Sequence, residues 1–280
     1  MTNSSSQNAV EFKWGEREYP ASRLDTWRVG PLVLWGRGHL DELWLATHHF
    51  SKDKRHTAGA TEADGSLIVP EPPDFSDTRW GRWVLKTQPA HVYLRPVFPP
   101  LPVVVKTEYP FCVTPNAQAR IYVRVPVWVS LETGGVKVTE LPTAVLSQTW
   151  FGDPMGGELC YWISSSARRE IHPDPARPHL AICPILIVNE SREDLAVEKI
   201  CLRVPGLTMF IHDHQLWSDE TTVKFRGPET GSVILPSGRP PGDGPSWQLI
   251  ATPRFTVNRW MTARTFATLM EMKGLIFPVG

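Results

Sequence analysis

The chain has 280 residues, with 29 Lys and Arg balanced by 29 Asp and Glu. A neutral balance excludes a dedicated nucleic-acid binder, which carries a basic surplus to pair with phosphates. Twenty-seven prolines and twenty glycines fall short of the ~25–30% that marks a low-complexity chain, and 41% hydrophobic residues suffice for a buried core.

Met1 to Asn8 is Ser- and Asn-rich, with neither the basic nor the apolar region of a signal peptide. No stretch approaches the ~18–20 apolar residues of a membrane span. A cytoplasmic protein without membrane insertion is therefore expected. Cys112, Cys160, Cys183 and Cys201 form no CxxC pair, which argues against a zinc ribbon or a secreted disulfide scaffold. Each sits beside aliphatic or aromatic residues and reads as a buried thiol.

Along the chain the dominant pattern is short β-strands punctuated by Pro, Gly, Asn and Asp. Trp27 to Trp35 and Glu42 to Phe50 flank Gly36-Arg37-Gly38 and read as an antiparallel hairpin. Ser51 to Thr78 is a long polar loop around one short strand, Leu67 to Val69. Arg82 to Lys86 and His91 to Val97 are strands. Phe98-Pro99-Pro100-Leu101-Pro102 then interrupts regular structure, because proline has no ladder donor. It divides an N-terminal β unit (9–97) from a larger one (98–280).

Arg120 to Leu131 has the cleanest period in the chain. Ile121, Val123, Val125, Val127 and Val129 share one face; Tyr122, Arg124, Pro126, Trp128 and Ser130 share the other. That is a half-buried antiparallel strand, with Pro126 at an edge or bulge. Gly135 to Leu141, Thr143 to Phe151 and Glu158 to Ser164 follow. Leu180 to Val188 is apolar on both faces, as a central strand is. A turn over Asn189 to Asp194 leads back along Ala196 to Val204, which places Cys183 opposite Cys201. Leu207 to Ile211, Thr221 to Arg226, Gly231 to Leu235 and Ser246 to Thr252 complete the strands. The ending departs from this pattern. Trp260, Ala263, Ala267 and Met270 recur at helical spacing, with Asn258 as N-cap and Gly274 beyond Lys273, predicting one helix over 258–273.

Chemical motifs are scarce. GxGxxG, Walker, GxSxG and HExxH patterns are all missing from the sequence. In His212-Asp213-His214, two imidazoles two residues apart would share one face of a strand and could hold a divalent metal, with Asp219 or Glu220 as a further ligand. The same residues also describe a polar hairpin turn. His48-His49 point to opposite faces of a strand and cannot jointly hold an ion. Arg168-Arg169 reads as an anion contact or a solvated loop. Glu158 has no evident partner carboxylate. Trp35, Trp44, Trp80, Trp83 and Trp128 fit core packing, a protein interface or sugar stacking. Trp128, with Tyr122 and Arg124, lies on the polar face of the cleanest strand and is the candidate interaction surface.

The succession WRVGPLVLW…ELWLATHH, ARIYVRVPVWVSL, TWFGDPMGGELCYW, HLAICPILIVNES and VEKICLRVP resembles the uncharacterised domain-of-unknown-function 432 family over Trp27 to Leu235. The likeness rests on the Tyr-x-Arg-x-Pro-Val strand, the Phe-Gly-x-Pro-x-Gly-Gly turn and the strand ending in Ile-x-Asn. It implies a β-rich cytoplasmic protein with no assigned reaction. Because some members are encoded near small mechanosensitive channels, it also implies a membrane-protein partner.

These readings give an all-β protein of two packed β-sandwich-like units with one C-terminal helix. The leading functional expectation is a non-enzymatic protein-binding or assembly component acting through an aromatic-rich surface, without a cofactor. The alternatives are a metal-dependent β-sandwich enzyme centred on His212 and His214, and a carbohydrate-binding module.

Overall fold

Alternating apolar and polar positions direct the chain into strands, and the computed structural model is nearly all β. It describes residues 12–50, 70–227, 232–255, 261–263 and 265–267. No helix among these residues is long and apolar enough to cross a membrane. The expected strand Leu67 to Val69 lies outside the described residues.

Strand β1 (Gly15–Glu18) precedes a meander of β2 (Leu24–Val29), β3 (Leu32–His39), β4 (Glu42–His49) and β5 (Gly81–Val84). The first hairpin differs from the sequence expectation. Gly36 and Gly38 lie inside β3, and the turns fall at Gly30-Pro31 and Leu40-Asp41. The reason is close packing. A Cβ on Gly36 would stand 2.5 Å from the Trp27 ring, and one on Gly38 would stand 2.4 Å from Tyr19. The glycines leave room for aromatic rings rather than bending the chain.

β6 (His91–Val97) pairs with β1. Phe98 to Pro102 then carries the chain to β7 (Val103–Val113), which lies in another sheet. β8 (Gln118–Pro126) is followed by β9 (Trp128–Thr133) and β10 (Val136–Pro142), and these last two return to the sheet of β1 and β6. This four-stranded sheet packs on the β2–β5 meander. Trp27, Leu32, Leu34 and Leu43 meet Val92, Leu94, Val129 and Leu131 in one core.

The second core is larger. β11 (Ser147–Phe151), β12 (Glu158–Ala167), β7, β14 (Leu195–Leu202) and β21 (Phe266–Ala267) form one sheet. The facing sheet centres on β13 (Leu180–Asn189), which pairs with β8, β16 (Gln215–Ser218) and β17 (Thr221–Phe225). β15 (Met209–His212), β18 (Ser232–Pro236), β19 (Gln248–Ala251) and β20 (Met261–Ala263) extend it. Val103, Val105, Ile121, Val123, Ile185, Ile187, Val197 and Ile200 fill the space between. As expected, β13 is a central strand. Pro184 is tolerated there because β13 pairs with β16 through Ala181 and Ile182, then with β17 from Ile185 onward. Proline's missing N–H falls in the gap between the two partners.

Three expectations need correction. The Ile121–Val129 alternation is real, and all five apolar residues are fully buried. Yet the single strand expected over Arg120 to Leu131 is two strands in different sheets, joined at Val127. Its N–H bonds the His179 carbonyl and its own carbonyl accepts from Thr143. Cys183 does not face Cys201: Cys183 pairs with Val123 on β8, whereas Cys201 pairs with Val104 on β7. The Asn189–Asp194 turn is an arch between sheets, not a hairpin within one. Cys112 is exposed, while the other three cysteines are buried.

The expected C-terminal helix is also replaced where the chain is described. Met261–Ala263 pairs with β18 and Phe266–Ala267 pairs with β14. The remainder of 258–273 lies outside the described residues.

Arg254 fastens the second core to the first. Its Nε donates to the Phe98 carbonyl at 2.6 Å, its Nη2 to Glu140 at 2.7 Å, and its backbone N–H to Pro205 at 2.8 Å. Burial pushes the Glu140 carboxyl up, but Arg254 and Lys137 outweigh burial and hold it below its ordinary value. A carboxylate depressed in the folded state contributes stability above its unfolded pKa and loses it as pH falls through the folded pKa. Arg254→Ala is therefore expected to cost about 1–2 kcal/mol at pH 7. The gap from the wild type should narrow as pH drops below the ordinary glutamate range. Urea titrations at several pH values measure both effects, and a pH-independent gap contradicts the assignment.

Candidate functional site

A concavity opens where β7 and β8 part. β7 is eleven residues long, and its pairing is irregular on both sides. Against β14 the register jumps from Phe111↔Val197 to Lys106↔Lys199, so Thr107 to Pro110 bulge opposite Glu198. The Thr107 hydroxyl lies 3.3 Å from both the Val197 and Glu198 carbonyls and closes the bulge. Pro110 lies inside that bulge, where no ladder N–H is needed. On the other side β12 last pairs with β7 at Ala167↔Thr107. The chain then crosses to the opposite sheet, where Arg168 and Tyr122 exchange backbone hydrogen bonds of 2.8 and 3.0 Å.

The result is a groove of about 680 Å³, within the ~300–1,000 Å³ common for ligand sites. Its apolar floor is the end of the main core, formed by Phe111, Val113, Ala119, Ile121 and Ala167. The turn from Thr114 to Ala117 closes one end, held to β13 by reciprocal backbone bonds between Asn189 and residues 116 and 117. Arg168–His172 forms the opposite rim. Arg168 pairs with Glu108 at 3.1 Å, and the Arg169 guanidinium lies 5.8 Å from the Phe111 ring. Opposite charges are interleaved, so the rim offers no strong field of one sign.

One wall also presents backbone. Both peptide groups of Tyr122 bond Arg168, so they point away from β13. Hydrogen-bonding direction alternates along an antiparallel pair. The N–H and C=O of Arg120, which lies between the groove-lining Ala119 and Ile121, therefore face the same way, away from β13. Among the described residues, no strand pairs with β8 on that side before Tyr122.

Tyr122 and Arg124 are half-buried beside this rim, and Arg124 donates to the His172 carbonyl at 2.5 Å. Burial holds the Arg124 guanidinium below its ordinary value. Trp128 is half-buried on β9, its ring 6.4 Å from that of Tyr161. Among the described tryptophans, Trp150 alone is more than a third exposed, at 46%. Trp35 and Trp80 are buried, and Trp44 lies under Arg82 at 3.9 Å.

The strand that would align His212 with His214 ends at His212. Asp213 and His214 form a two-residue turn with φ of 46° and 63°, as type I′ hairpins require. The His212 ring stacks on Trp247 at 4.4 Å and bonds Ser246 at 3.0 Å. Asp219 is fully buried and accepts backbone N–H bonds from Thr208 and Gly238, both at 2.8 Å. Glu220 pairs with Arg120 at 2.8 Å. Neither acid joins the two histidines in a metal-ligand group. His49 bonds the Pro142 carbonyl at 2.7 Å while His48 is exposed. Glu158 pairs with Arg203.

Tyr109, Phe111, Cys112 and Ala117 to Ala119 also line the groove, and no motif marks them. Their only sequence signal is a proline within a strand at Pro110 and the break at Thr114-Pro115-Asn116.

No curated protein and no solved structure matches the chain. Residues 13–271 do match the sequence profile of the family described as Protein of unknown function (DUF432). The chain belongs to the DUF432 family.

Proposed function

We propose that this is a non-enzymatic binding component that receives an extended segment of a partner protein in the β7–β8 groove. The observation that carries the reading is the open backbone edge of β8 at Arg120, set above an apolar floor. A peptide added there gains main-chain hydrogen bonds from the edge, and its alternate side chains reach the floor. The aromatic component is Phe111 together with Tyr109, which is 77% exposed, rather than a platform of tryptophans. The family resemblance adds the expectation that the segment belongs to a membrane protein, as an extramembrane tail.

Cys112 lines the groove and is exposed, whereas the other cysteines are buried. A bulky maleimide adduct at Cys112 is therefore a selective plug. Peptides selected from a random displayed library should share apolar residues at alternate positions and should lose binding to the plugged protein. Failure to enrich any peptide, or peptides indifferent to the adduct, would overturn the reading.

A further inference from the structure

Away from the groove, β12 and β14 flank β7 in one sheet, and Val104 packs with two thiols on the face opposite the main core. Side chains alternate along each strand. Glu158 therefore shares a face with Cys160 two residues later, and Arg203 follows the end of β14, two residues after Cys201. The Sγ atoms of Cys160 and Cys201 are 3.8 Å apart, and the Cys201 Sγ lies 3.9 Å from Glu158 Oε1. All three donor atoms lie within 4.8 Å of one another, the one such group among the described residues. Arg203 Nη2 bonds the same Glu158 oxygen. Phe151, Val104 and Trp162 surround the thiols, which are 0% and 1% exposed.

The sulfur–sulfur distance is that of a tetrahedron's edge, and the Cys201–Glu158 distance is about 0.3 Å longer than one. Two sulfurs bound at ~2.3 Å to one ion at the tetrahedral angle stand ~3.8 Å apart, and a carboxylate oxygen bound at ~2.1 Å stands ~3.6 Å from either sulfur. The charges also close. Two thiolates and a carboxylate around a divalent cation carry one net negative charge, and the Arg203 guanidinium offsets it. Such balance matters at a site this buried, where an unpaired charge is costly.

We propose that Cys160, Cys201 and Glu158 form a three-ligand site for a thiophilic divalent cation of the zinc class, with Arg203 as the positioning residue for the carboxylate. On binding, the cation sheds waters, each thiol releases one proton to solvent, and two metal–sulfur bonds and one metal–oxygen bond form. Nothing is oxidised or reduced. A water molecule completes four-coordination. Glu158, with its side chain 35% exposed, is the solvent-facing ligand and marks the side from which the ion enters.

The test is a cobalt(II) titration of the reduced full-length chain in a Cys112→Ser background, which removes the exposed thiol. One equivalent should bind per chain, with a thiolate-to-cobalt charge-transfer band and the intense visible bands of four-coordinate cobalt, both lost on adding zinc. Cys160→Ala and Cys201→Ala should each abolish the bands, while Cys183→Ala leaves them intact. Glu158→Gln should weaken affinity about tenfold or more. The spectrum of the unsubstituted site needs no variant to fold, and circular dichroism checks each variant. The proposal is overturned if no stoichiometric cobalt binds, if the bands survive either alanine substitution, or if peroxide joins the two thiols in a disulfide while the reduced chain takes up no metal.

Discussion

Asn189→Ala is expected to lower the free energy of unfolding by about 3–5 kcal/mol, the largest loss anticipated from a single polar residue outside the thiol site. Asn189 is fully buried. Its amide nitrogen donates to the Val113 carbonyl at 2.7 Å and the Glu193 carbonyl at 2.8 Å. Its amide oxygen accepts from the Ser191 backbone at 3.0 Å and the Ser191 hydroxyl at 2.7 Å. A typical hydrogen bond contributes ~0.5–1.5 kcal/mol, and a buried group stripped of its partner costs ~1–3 kcal/mol. Removing four bonds and stranding the Val113 carbonyl therefore sums to several kcal/mol. Asn189→Asp should be at least as damaging, because it places an acceptor-only carboxylate against two carbonyls. Urea unfolding with an unchanged m-value measures the difference, and a loss under about 1 kcal/mol would contradict the assigned role. The same residue anchors the turn that closes the groove, so surviving protein should also bind selected peptides less well.

Arg120→Pro should do the reverse, sparing the fold and disabling the groove. The Arg120 N–H points away from β13, so the β8–β13 ladder keeps its bonds. Proline is accepted on a strand edge whose N–H faces outward. The substitution also removes the Arg120–Glu220 pair, in which the arginine side chain is 52% exposed. Exposed pairs contribute only ~0–1 kcal/mol. Stability should therefore fall by no more than about 1 kcal/mol. Peptide affinity should drop about tenfold or more, the equivalent of one main-chain hydrogen bond plus the obstruction of the ring. Titration calorimetry reads the affinity. Undiminished binding by a folded Arg120→Pro variant would show that the β8 edge is not used.

The all-β class was legible because period-two alternation reports burial directly, as in β8, and a short run apolar on both faces reports a central strand, as in β13. Sheet membership was not. Ile121 through Val129 keep their alternation across the crossing at Val127, since both sheets bury the same face of the chain. The same loss of information misplaced Cys201. A polar turn after Asn189 looks alike whether the next strand pairs with the last or arches into the facing sheet. Helical spacing of Trp260, Ala263 and Ala267 proved weaker than the ladders that capture Met261–Ala263 and Phe266–Ala267, a tertiary override of local pattern.

The groove was harder still to see. Arg168-Arg169 and Tyr122 stood out in the sequence, but the feature they frame is a backbone edge, and backbone has no residue signature. The thiol–carboxylate cluster joins three strands through residues two apart at each outer strand. Glu158-x-Cys160 and Cys201-x-Arg203 form one cluster only once β7 has been laid between them.

The β8 edge is tested most directly by amide hydrogen exchange, residue by residue, with and without a library-selected peptide. On strand addition the Arg120 amide becomes hydrogen-bonded, so its exchange should slow at least about tenfold, while the amides of β13 already committed to the ladder change little. An Arg120 amide that exchanges equally fast with the peptide bound would contradict the central claim that this protein receives its partner by adding a strand to β8.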